Sequence, residues 1–392
     1  MEKVVFTTGG TGGHIYPALS IAKKIRQKNI DTLFIGTQHR MEKDIVPREN
    51  FRFIGLDILP LKSLKSIFKM IGATISTIKL LKKEKPTRII AFGNYITIPV
   101  LITANVLRIP YYLQEQNHTM GQANKWFYKG AKKVFIAFGN TLDNIKEKYK
   151  SKFVVTGNPL REEFYEKDKK EERKKLDIKE DEKVILVIGG SLGAKNINDA
   201  IVKKWKTISE DKKEERKKLN INDDERVILV IGGSLGAQNI NEAILKKWKT
   251  ITEDKKIRLF WATGKDNYET STYKIRDFGT AVVEPYFENV PELMTAADIV
   301  ICRAGASTIS ELIQLEKPAI LIPYDFVGQK ENADVLEYAN GAKIFTNETA
   351  EKAIDEALSI VRQVSMLEFM SENIKTLKKG NSAEVIVKEM GL

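Results

Sequence analysis

The stretch Thr7-Thr8-Gly9-Gly10-Thr11-Gly12-Gly13-His14 decides the fold of this chain. It follows the apolar run Val4-Val5-Phe6 and leads into the apolar segment 15–22, so it predicts a strand, a glycine-rich turn and a helix. Glycines let the backbone turn sharply, and the unpaired N–H groups at the start of a helix attract an anion. We therefore predict a phosphate or another anionic oxygen at this loop, with a plain tight turn as the alternative.

The composition indicates a protein of two domains with an anionic partner. The chain has 392 residues, 42% hydrophobic and 30% charged, which is enough for two domains. Its net charge of +12 indicates an anionic partner: nucleic acid, phospholipid or a phosphorylated substrate. Cys302 is the single cysteine, as expected in a reducing cytoplasm, and the short start before the glycines predicts no signal peptide.

An uncharged segment at 89–107 is long enough to cross a membrane. It contains Gly93, Asn94 and Pro99, however, and divides into a strand at 89–92 and a helix at 100–107. We predict that it belongs to a βαβ core rather than to a membrane span. A further strand is predicted at 111–113.

Nicotinamide dinucleotide binding is disfavoured. A Rossmann domain of that kind has a GxGxxG loop and an acidic residue at the end of the next strand. Here the strand at 32–35 ends in Gly36-Thr37, and the glycines follow another pattern.

Residues 60–85 predict a basic amphipathic helix. Apolar residues recur at steps of three and four, and lysines border them. Two interpretations remain open and are compatible: a helix that faces the core, and a helix that lies on a membrane surface. The apolar set is Leu61, Leu64, Phe68, Ile71, Ile75 and Ile78, and the lysines are Lys62, Lys65, Lys69, Lys79, Lys82, Lys83 and Lys85.

A nearly exact repeat occupies the middle of the chain. Residues 168–210 and 211–253 are identical at 35 of 43 positions, which indicates a tandem duplication. Two copies are too few for a stacked solenoid. Each copy predicts a helix, a strand and the glycine loop GGSLGA, at 189–194 in copy one and at 232–237 in copy two. The second half of the chain therefore also begins with a strand and an anion-binding loop.

Strands and helices alternate after the repeat, which predicts another parallel sheet. Strands are expected at 258–261, 281–283, 299–301 and 319–322. Small residues at 304–307 open a helix that carries Glu311, and a polar loop at 328–332 follows the last of these strands.

Together these motifs resemble the MurG family of peptidoglycan glycosyltransferases, nearly from end to end. The resemblance implies an α/β fold of the GT-B type: two Rossmann-like domains with parallel sheets facing across a cleft. It implies an acceptor and membrane-side domain at 1–161, a UDP-sugar domain at 162–365 that includes both copies, and C-terminal helices at 366–392 that pack back towards the first domain. The motifs lie at 9–14, 114–117, 157–161, 189–194, 232–237, 261–265, 302–311 and 329–332.

The resemblance implies transfer of N-acetylglucosamine from UDP-N-acetylglucosamine to the 4-hydroxyl of undecaprenyl-pyrophosphoryl-MurNAc-pentapeptide. The expected location is peripheral, on the anionic cytoplasmic face of the bacterial plasma membrane. No nucleic acid partner is expected, since no basic motif is interleaved with aromatic residues. The alternatives are a related enzyme that acts on another membrane lipid and an inactive duplicated variant.

The family's functional residues carry over onto matching positions. Arg161 with Ser191 or Ser234 would hold the diphosphate, the backbone of Phe287 would read uracil, Glu311 would bind the ribose and Gln329 the sugar. The other donor contacts implied are Thr11, Gly12, Gly13, Asn117, Ala306, Ser307, Thr308, Ile309 and Ser310. Acceptor or membrane contacts are expected at Leu64, Lys65, Phe68, Lys69, Ile71, Tyr95 and Asn124.

Inversion at the anomeric carbon requires a base for the acceptor hydroxyl. His14 is the first candidate and Glu115 the reserve, although His14 could instead cap the helix or contact phosphate. No Asp-x-Asp motif is evident, so we expect neither a metal nor another cofactor.

Two departures from the family pattern stand out. Gly93-Asn94-Tyr95 replaces the usual Gly-Gly-Tyr, and the loop before Gln329 is shorter than usual. The repeat is a further departure from the family pattern, because only one copy of its strand fits the centre of the second sheet. We expect copy two there, since it keeps the short connection to the strand at 258. Copy one should then lie at an edge of the sheet or form a surface excursion near the hinge.

Overall fold

The structure is a computed structural model with two compact units. It describes residues 2–60, 64–165, 168–176, 178, 183–188, 227–231, 240–241, 243–244, 247, 257–264, 268–273, 281–324 and 328–392. Unit 1 comprises Met1–Glu162 and Lys379–Leu392, and unit 2 comprises Glu163–Lys378. Each is an α/β unit whose strands pair in parallel, which confirms the predicted fold class.

Unit 1 has a parallel sheet in the order β3-β2-β1-β4-β5-β6-β7. Its strands are β1 (Lys3–Thr7), β2 (Asp31–Thr37), β3 (Arg52–Leu56), β4 (Arg88–Ala91), β5 (Tyr111–Glu115), β6 (Val134–Ile136) and β7 (Phe153–Val155). Its helices are α1 (Gly12–Gln27), α2 (Glu42–Arg48), α3 (Leu64–Glu84), α4 (Ile98–Leu107), α5 (Gln122–Phe127) and α6 (Glu147–Lys150), with short 3-10 turns at Tyr95–Thr97 and Gly139–Asn144. A third 3-10 turn, Glu162–Phe164, begins at the last residue of this part of unit 1.

The uncharged segment at 89–107 is divided as predicted between β4 and α4. Ile89, Ile90 and Leu101 are fully buried in the core of unit 1. Over the described residues, none of the helices combines the length and the apolar character needed to cross a bilayer.

Unit 2 has a second parallel sheet. Its strands are β8 (Lys183–Ile188), β9 (Val227–Ile231), β10 (Ile257–Ala262), β11 (Val282–Glu284), β12 (Ile299–Cys302), β13 (Ala319–Leu321) and β14 (Ala342–Ile344), in the order β11-β10-β8-β12-β13-β14 with β9 paired to β8. Its helices are α7 (Lys169–Lys175), α8 (Tyr268–Tyr273), α9 (Val290–Ala296), α10 (Ala306–Gln314), α11 (Gln329–Tyr338), α12 (Ala350–Val361) and α13 (Val364–Lys375).

The last helix, α14 (Ser382–Glu389), belongs to unit 1. Its Ile386 and Val387 are buried in the cluster that contains Phe6 of β1 and Ile15 of α1. Asn381 caps this helix by accepting hydrogen bonds from the N–H groups of residues 383 and 384. α13, by contrast, packs within unit 2, so the chain passes between the units at Lys378–Lys379, later than the expected boundary near 366.

The expectation that copy two supplies the central strand is wrong for this structure. β8, from copy one, lies between β10 and β12 and pairs with both. The helix that follows comes from copy two, because Ile240, Ala243 and Ile244 are buried in the core of unit 2. Sequence could not separate the two strands, since both read Val-Ile-Leu-Val-Ile.

Candidate functional site

The glycine loop after β1 is held from behind by an internal carboxylate. Glu42, which is fully buried, accepts hydrogen bonds from the N–H groups of Gly10 at 2.9 Å and Thr37 at 3.0 Å. The N–H of Gly10 is therefore already bonded within the protein. An anion bound here would face the first turn of α1 instead, where Thr11 occupies the N-cap without a side-chain capping bond.

Asn94 supports the same loop from the β4 side. Its Nδ2 donates to the carbonyl oxygen of Gly9 at 3.3 Å, and its Oδ1 accepts from the N–H of Tyr95 at 2.6 Å. Gly10 has φ +94°, and a Cβ there would lie 2.5 Å from Nδ2 of Asn94. Asn94 itself has φ 69° and ψ 157°, a region that is almost restricted to glycine. The departure from Gly-Gly-Tyr thus replaces a permissive glycine with a strained residue that hydrogen-bonds the loop.

His14 lies in the first turn of α1, where its side chain is half-buried. Its Nδ1 is 3.1 Å from Oγ1 of Thr11, and desolvation lowers its pKa to about 4. The ring is therefore neutral at physiological pH. If Nδ1 donates to Thr11, the lone pair is on Nε2, which is the tautomer that a general base requires.

Glu115, the reserve base, is buried at the end of β5 and holds the loop that follows. Oε1 accepts from the backbone and side-chain amides of Asn117, at 3.0 and 3.2 Å. Oε2 accepts from the N–H of Gly121 at 2.8 Å and from Nδ2 of Asn124 at 2.9 Å. Burial raises the pKa of this carboxyl group, while these four bonds oppose the rise. These bonds hold both the backbone and the side chain of Asn117 in place.

Asn124, expected as an acceptor or membrane contact, is fully buried. Its Nδ2 also donates to the backbone oxygen of Gln114 at 3.1 Å. It lies in the first turn of α5, and its side chain contacts Glu115 and the end of β5. Tyr95 is half-buried in the 3-10 turn beside Asn94 and keeps an exposed portion.

Sequence reasoning missed a buried amide network at the carboxyl edge of this sheet. Gln116 donates to Oε1 of Gln114 at 2.6 Å and to the oxygen of Phe92 at 3.0 Å. Gln114 donates to Oδ1 of Asn158 at 3.2 Å. The polar run at 114–118 after an apolar strand was the available signal, because buried polar side chains require partners. The network ties the ends of β4, β5 and β7 together.

Arg161 belongs to unit 1 and lies beside the helix of the glycine loop. Its guanidinium carbon is 5.5 Å from the ring centroid of Tyr16, which is on α1. Lys24 of α1 pairs with Glu162 and with Glu384 of α14, each at 3.1 Å. These contacts fix the joint at 157–162 to α1 and α14.

In unit 2, the start of α10 follows directly from β12. Gly305 occupies its N-cap without a side-chain capping bond, so its first N–H groups are suited to an anion. Ser307, Thr308 and Glu311 are half-exposed, whereas Ile309 and Ser310 are buried. Ile309 therefore contributes packing, while Ser310 donates to the oxygen of Ala306 at 2.9 Å.

Gln329 begins α11, and a chain of contacts positions it. Its Oε1 accepts from the N–H of Tyr324 at 3.1 Å. The guanidinium carbon of Arg303 is 4.1 Å from the Tyr324 ring centroid, and Arg303 donates to the oxygen of Ile322 and to Oδ1 of Asn347, both at 2.8 Å. Arg303 is almost fully buried, a placement that sequence could not reveal because arginine is usually exposed.

A further contact joins the two helix starts of unit 2. Asn332 of α11 donates to the oxygen of Ala304, in the turn before α10, at 3.3 Å. Because β12 and β13 are neighbours, this bond brings Ser307, Glu311 and Gln329 to one edge of the sheet.

Phe287 follows β11 with a buried ring that lies edge-on to Phe260 at 6.3 Å. Ser191 and Ser234, the predicted diphosphate contacts, lie outside the described residues. Among the described residues, no group of three or more His, Cys, Asp or Glu side chains could hold a metal ion.

The amphipathic helix α3 presents apolar side chains to solvent. Its core-facing residues are Met70, Ala73, Thr77 and Leu81. We define the apolar strip as the exposed set Ile67, Phe68, Ile71 and Ile75, in which Phe68 is 72% exposed. The expected apolar face thus points outward at Phe68, Ile71 and Ile75, so for these residues the core-facing interpretation is wrong.

Lys69 does not simply border this strip, because an acidic residue binds it. Its Nζ donates to both carboxylate oxygens of Asp57, at 2.8 and 2.7 Å, and His39 Nε2 lies 2.9 Å from Oδ1. These bonds, first the one from Lys69, lower the pKa of Asp57. The side chains of Leu64 and Lys65 lie outside the described part of the chain.

Comparisons with known families match both units. The Glycosyltransferase family 28 N-terminal domain matches residues 4–136, and the Glycosyltransferase family 28 C-terminal domain matches residues 227–390. A UDP-N-acetylglucosamine–N-acetylmuramyl-(pentapeptide) pyrophosphoryl-undecaprenol N-acetylglucosamine transferase of Fusobacterium nucleatum is 43% identical over 100% of this chain and 98% of its own length. The transferase of the same name from Acetivibrio thermocellus is 32% identical over 98% and 96%.

Solved structures agree with these matches. The crystal structure of Acinetobacter baumannii MurG has a TM-score of 0.72 and 25% identity, covering 100% of this chain and 99% of that one. The UDP-GlcNAc 2-epimerase of Neisseria meningitidis, bound to UDP-GlcNAc, has a TM-score of 0.60 and 17% identity over 99% of both chains, a likeness of fold alone.

Proposed function

The chain belongs to the family of UDP-N-acetylglucosamine–N-acetylmuramyl-(pentapeptide) pyrophosphoryl-undecaprenol N-acetylglucosamine transferases, and we propose that it catalyses the transfer which that name describes. The observation that carries the proposal is the 43% identity to the Fusobacterium relative over the whole chain. The substrates are then UDP-N-acetylglucosamine and an undecaprenyl-pyrophosphoryl-MurNAc-pentapeptide. The product contains a new β-1,4 glycosidic bond.

The donor contacts proposed for unit 2 cluster at one sheet edge. The half-exposed Glu311 accepts hydrogen bonds from the ribose hydroxyls, and the start of α10 at Ser307 and Thr308 faces phosphate oxygens. Gln329 binds the sugar through its amide NH2, because its Oε1 is bonded to the N–H of Tyr324. Phe287 contributes its backbone to the uracil, and Ser191 or Ser234 contacts the diphosphate.

The proposed chemistry is a single in-line displacement. The 4-hydroxyl oxygen of MurNAc attacks the anomeric carbon of N-acetylglucosamine as the bond from that carbon to UDP breaks. Nε2 of His14 takes the hydroxyl proton, with Nδ1 held by Thr11. The negative charge that develops on UDP is stabilised by helix N-termini and Arg161, so we propose that no metal ion or other cofactor is required.

Membrane association is proposed for the apolar strip on α3. Phe68 and Ile71 would enter the interfacial region, while the exposed lysines at 79, 82, 83 and 85 approach anionic headgroups. Each lysine near the surface contributes about 1 kcal/mol. We therefore propose that the protein lies peripherally at the cytoplasmic leaflet, where the lipid acceptor is available.

The test is transfer of labelled N-acetylglucosamine from UDP to the lipid-pyrophosphoryl-MurNAc-peptide, with EDTA present, for the parent chain and for His14→Gln, Ser191→Ala and Ser234→Ala. We expect transfer by the parent, and a fall of about 100-fold or more in kcat for His14→Gln. A diacylglycerol acceptor is the control for the alternative lipid activity. A folded parent that neither binds UDP-N-acetylglucosamine nor transfers it would overturn the proposal.

A further inference from the structure

One strand in unit 2 has three partners. β8 pairs in parallel with β10 from Ile257↔Lys183 to Trp261↔Val187, and with β12 from Ile299↔Ile185 to Cys302↔Ile188. It also pairs with β9, at Val184↔Val227. β10 and β12 occupy both edges of β8 over residues 185–187, which leaves β9 only the start of this strand, at Val184.

The third partner is a copy of β8 itself. Val184 and Val227 are 43 positions apart, which is the length of the repeat, and both strands read Val-Ile-Leu-Val-Ile. β9 therefore has the side chains needed to replace β8 between β10 and β12. The flanking residue changes only from Lys183 to Arg226, which keeps the charge.

The elements around this position come from different copies. α7, from copy one, packs on α9, where Arg173 donates to the oxygen of Ala296 at 3.1 Å. The helical residues Ile240, Asn241 and Ile244, from copy two, are fully buried. The strand that directly precedes this buried helix in the chain is β9, and the family match to the C-terminal domain also begins at Val227. Chain connectivity thus favours β9 for a position at which the structure places β8.

We propose that β8 and β9 are alternative occupants of a single sheet position between β10 and β12, and that unit 2 exchanges between two folded states. In both states the buried helix comes from copy two. Both strands have the same five residues, Val-Ile-Leu-Val-Ile, so the free energies of the two states should differ little and their populations should lie within about tenfold of each other. Each state leads from the sheet into a different glycine loop.

Cys302 offers a direct test, because it is the single cysteine and its register partner on β8 is Ile188. The equivalent residue on β9 is Ile231. Neighbouring strands lie about 4.8 Å apart, within the Cα separation of a disulfide. The variants Ile188→Cys and Ile231→Cys are oxidised with copper phenanthroline and analysed by peptide mass spectrometry. Ile185→Cys and Ile228→Cys are matched controls, since the partner of residue 185 is Ile299.

We expect an intrachain disulfide to Cys302 in both Ile188→Cys and Ile231→Cys, and in neither control. A disulfide in only one of the two variants would overturn the proposal, because one strand would then hold the position permanently. An interchain disulfide from residue 231 would also overturn it, because β9 would then enter the sheet of a second copy.

Hydrogen exchange of the unmodified chain gives a second readout that does not depend on how the cysteine variants fold. Peptides from the two strands are distinguished by Lys183 and Arg226. We expect protection of both strands to be limited to about tenfold, because each leaves the sheet for part of the time, with β12 protected more strongly. Protection of β8 equal to that of β12, with β9 unprotected, would contradict exchange.

Discussion

The Nδ1 atom of His14 lies 3.1 Å from Oγ1 of Thr11, one turn earlier at the start of α1. Burial lowers the pKa of His14 to about 4, so the ring stays neutral and able to accept a proton at any higher pH. Activity should therefore fall only as the pH decreases through about 4. The measurement is kcat/KM between about pH 4 and 8, with folding monitored in parallel. An acid limb centred near the ordinary histidine value of about 6.5 would contradict this assignment.

Substitution at Thr11 tests the hydrogen bond itself. Thr11→Val removes the oxygen that holds Nδ1, and we expect kcat to fall about 10- to 100-fold with a smaller change in KM, because the base loses its orientation. Thr11→Ser keeps the oxygen and should retain most of the activity. Equal kcat values for the two variants would remove Thr11 from the mechanism.

Asn94 allows the strain in the glycine loop to be measured. Its backbone conformation, φ 69° and ψ 157°, costs a non-glycine residue about 1–3 kcal/mol. Asn94→Ala keeps the strain and loses the hydrogen bonds to Gly9 and Tyr95, so the free energy of unfolding should fall by about 2–3 kcal/mol. Asn94→Gly relieves the strain and should stay within about 1 kcal/mol of the parent. Urea unfolding distinguishes them, and equal losses would show that strain is unimportant.

The ion pair between Asp57 and Lys69 should limit membrane binding. Asp57→Asn removes the carboxylate that accepts from Lys69, so this lysine can approach anionic headgroups. We expect affinity for vesicles containing phosphatidylglycerol to rise about fivefold, equivalent to about 1 kcal/mol, at low salt. Cosedimentation measures it, with neutral phosphatidylcholine vesicles as the control. Phe68→Ser should weaken binding, whereas Phe369→Ser, at an exposed site on α13, should not.

Arg303 should control donor binding from within the protein. Arg303→Met removes the cation over Tyr324, whose N–H binds Gln329, so we expect KM for UDP-N-acetylglucosamine to rise about tenfold with kcat less affected. Discrimination against UDP-glucose should fall at the same time. Tyr324→Phe keeps the ring and should resemble the parent. A fall in kcat that is equal for both sugar donors, accompanied by a loss of thermal stability, would indicate a merely structural role.

Trp261 reports which copy supplies the buried helix. Its Nε1 donates to Oδ1 of Asn241 at 2.6 Å, with both side chains fully buried. Asn241→Ala leaves a buried donor without this acceptor and should lower the free energy of unfolding by about 1–3 kcal/mol. Asn198→Ala, the same change in copy one, should have little effect. Thermal unfolding of both variants makes the comparison, and equal losses would show that both helices bind Trp261.

The sequence predicted the secondary-structure elements that depend on the pattern of neighbouring residues. The glycine loop after β1, the division of 89–107 and the strands at 299–301 and 319–322 follow from apolar periodicity and from glycine or proline. It could not predict Glu42 behind Gly10, because that contact joins α2 to a loop 32 residues earlier. The burial of the Arg303 guanidinium could not be predicted either, because its contacts with Ile322 and Asn347 also join distant positions in the sequence.

The direction of the apolar face of α3 and the choice between the two repeated strands also could not be predicted from the sequence. Periodicity identified an apolar face on α3 but not its direction, since a helix can pack by its less apolar stripe, here Ala73 and Thr77. For the repeat, local sequence is the same in both copies, so the choice of β8 depends on chain connectivity and long-range packing. No local pattern could decide it.

The placement of α14 affects how the chain folds during synthesis. Unit 1 emerges first from the ribosome, yet Ile386 and Val387, which pack against its core, are translated only after unit 2. The apolar groove that receives them therefore stays open while unit 2 is being translated. Nascent unit 1 should therefore bind chaperones through this groove, and a stop codon after residue 378 should destabilise the amino-terminal unit more than the unit nearest to the truncation.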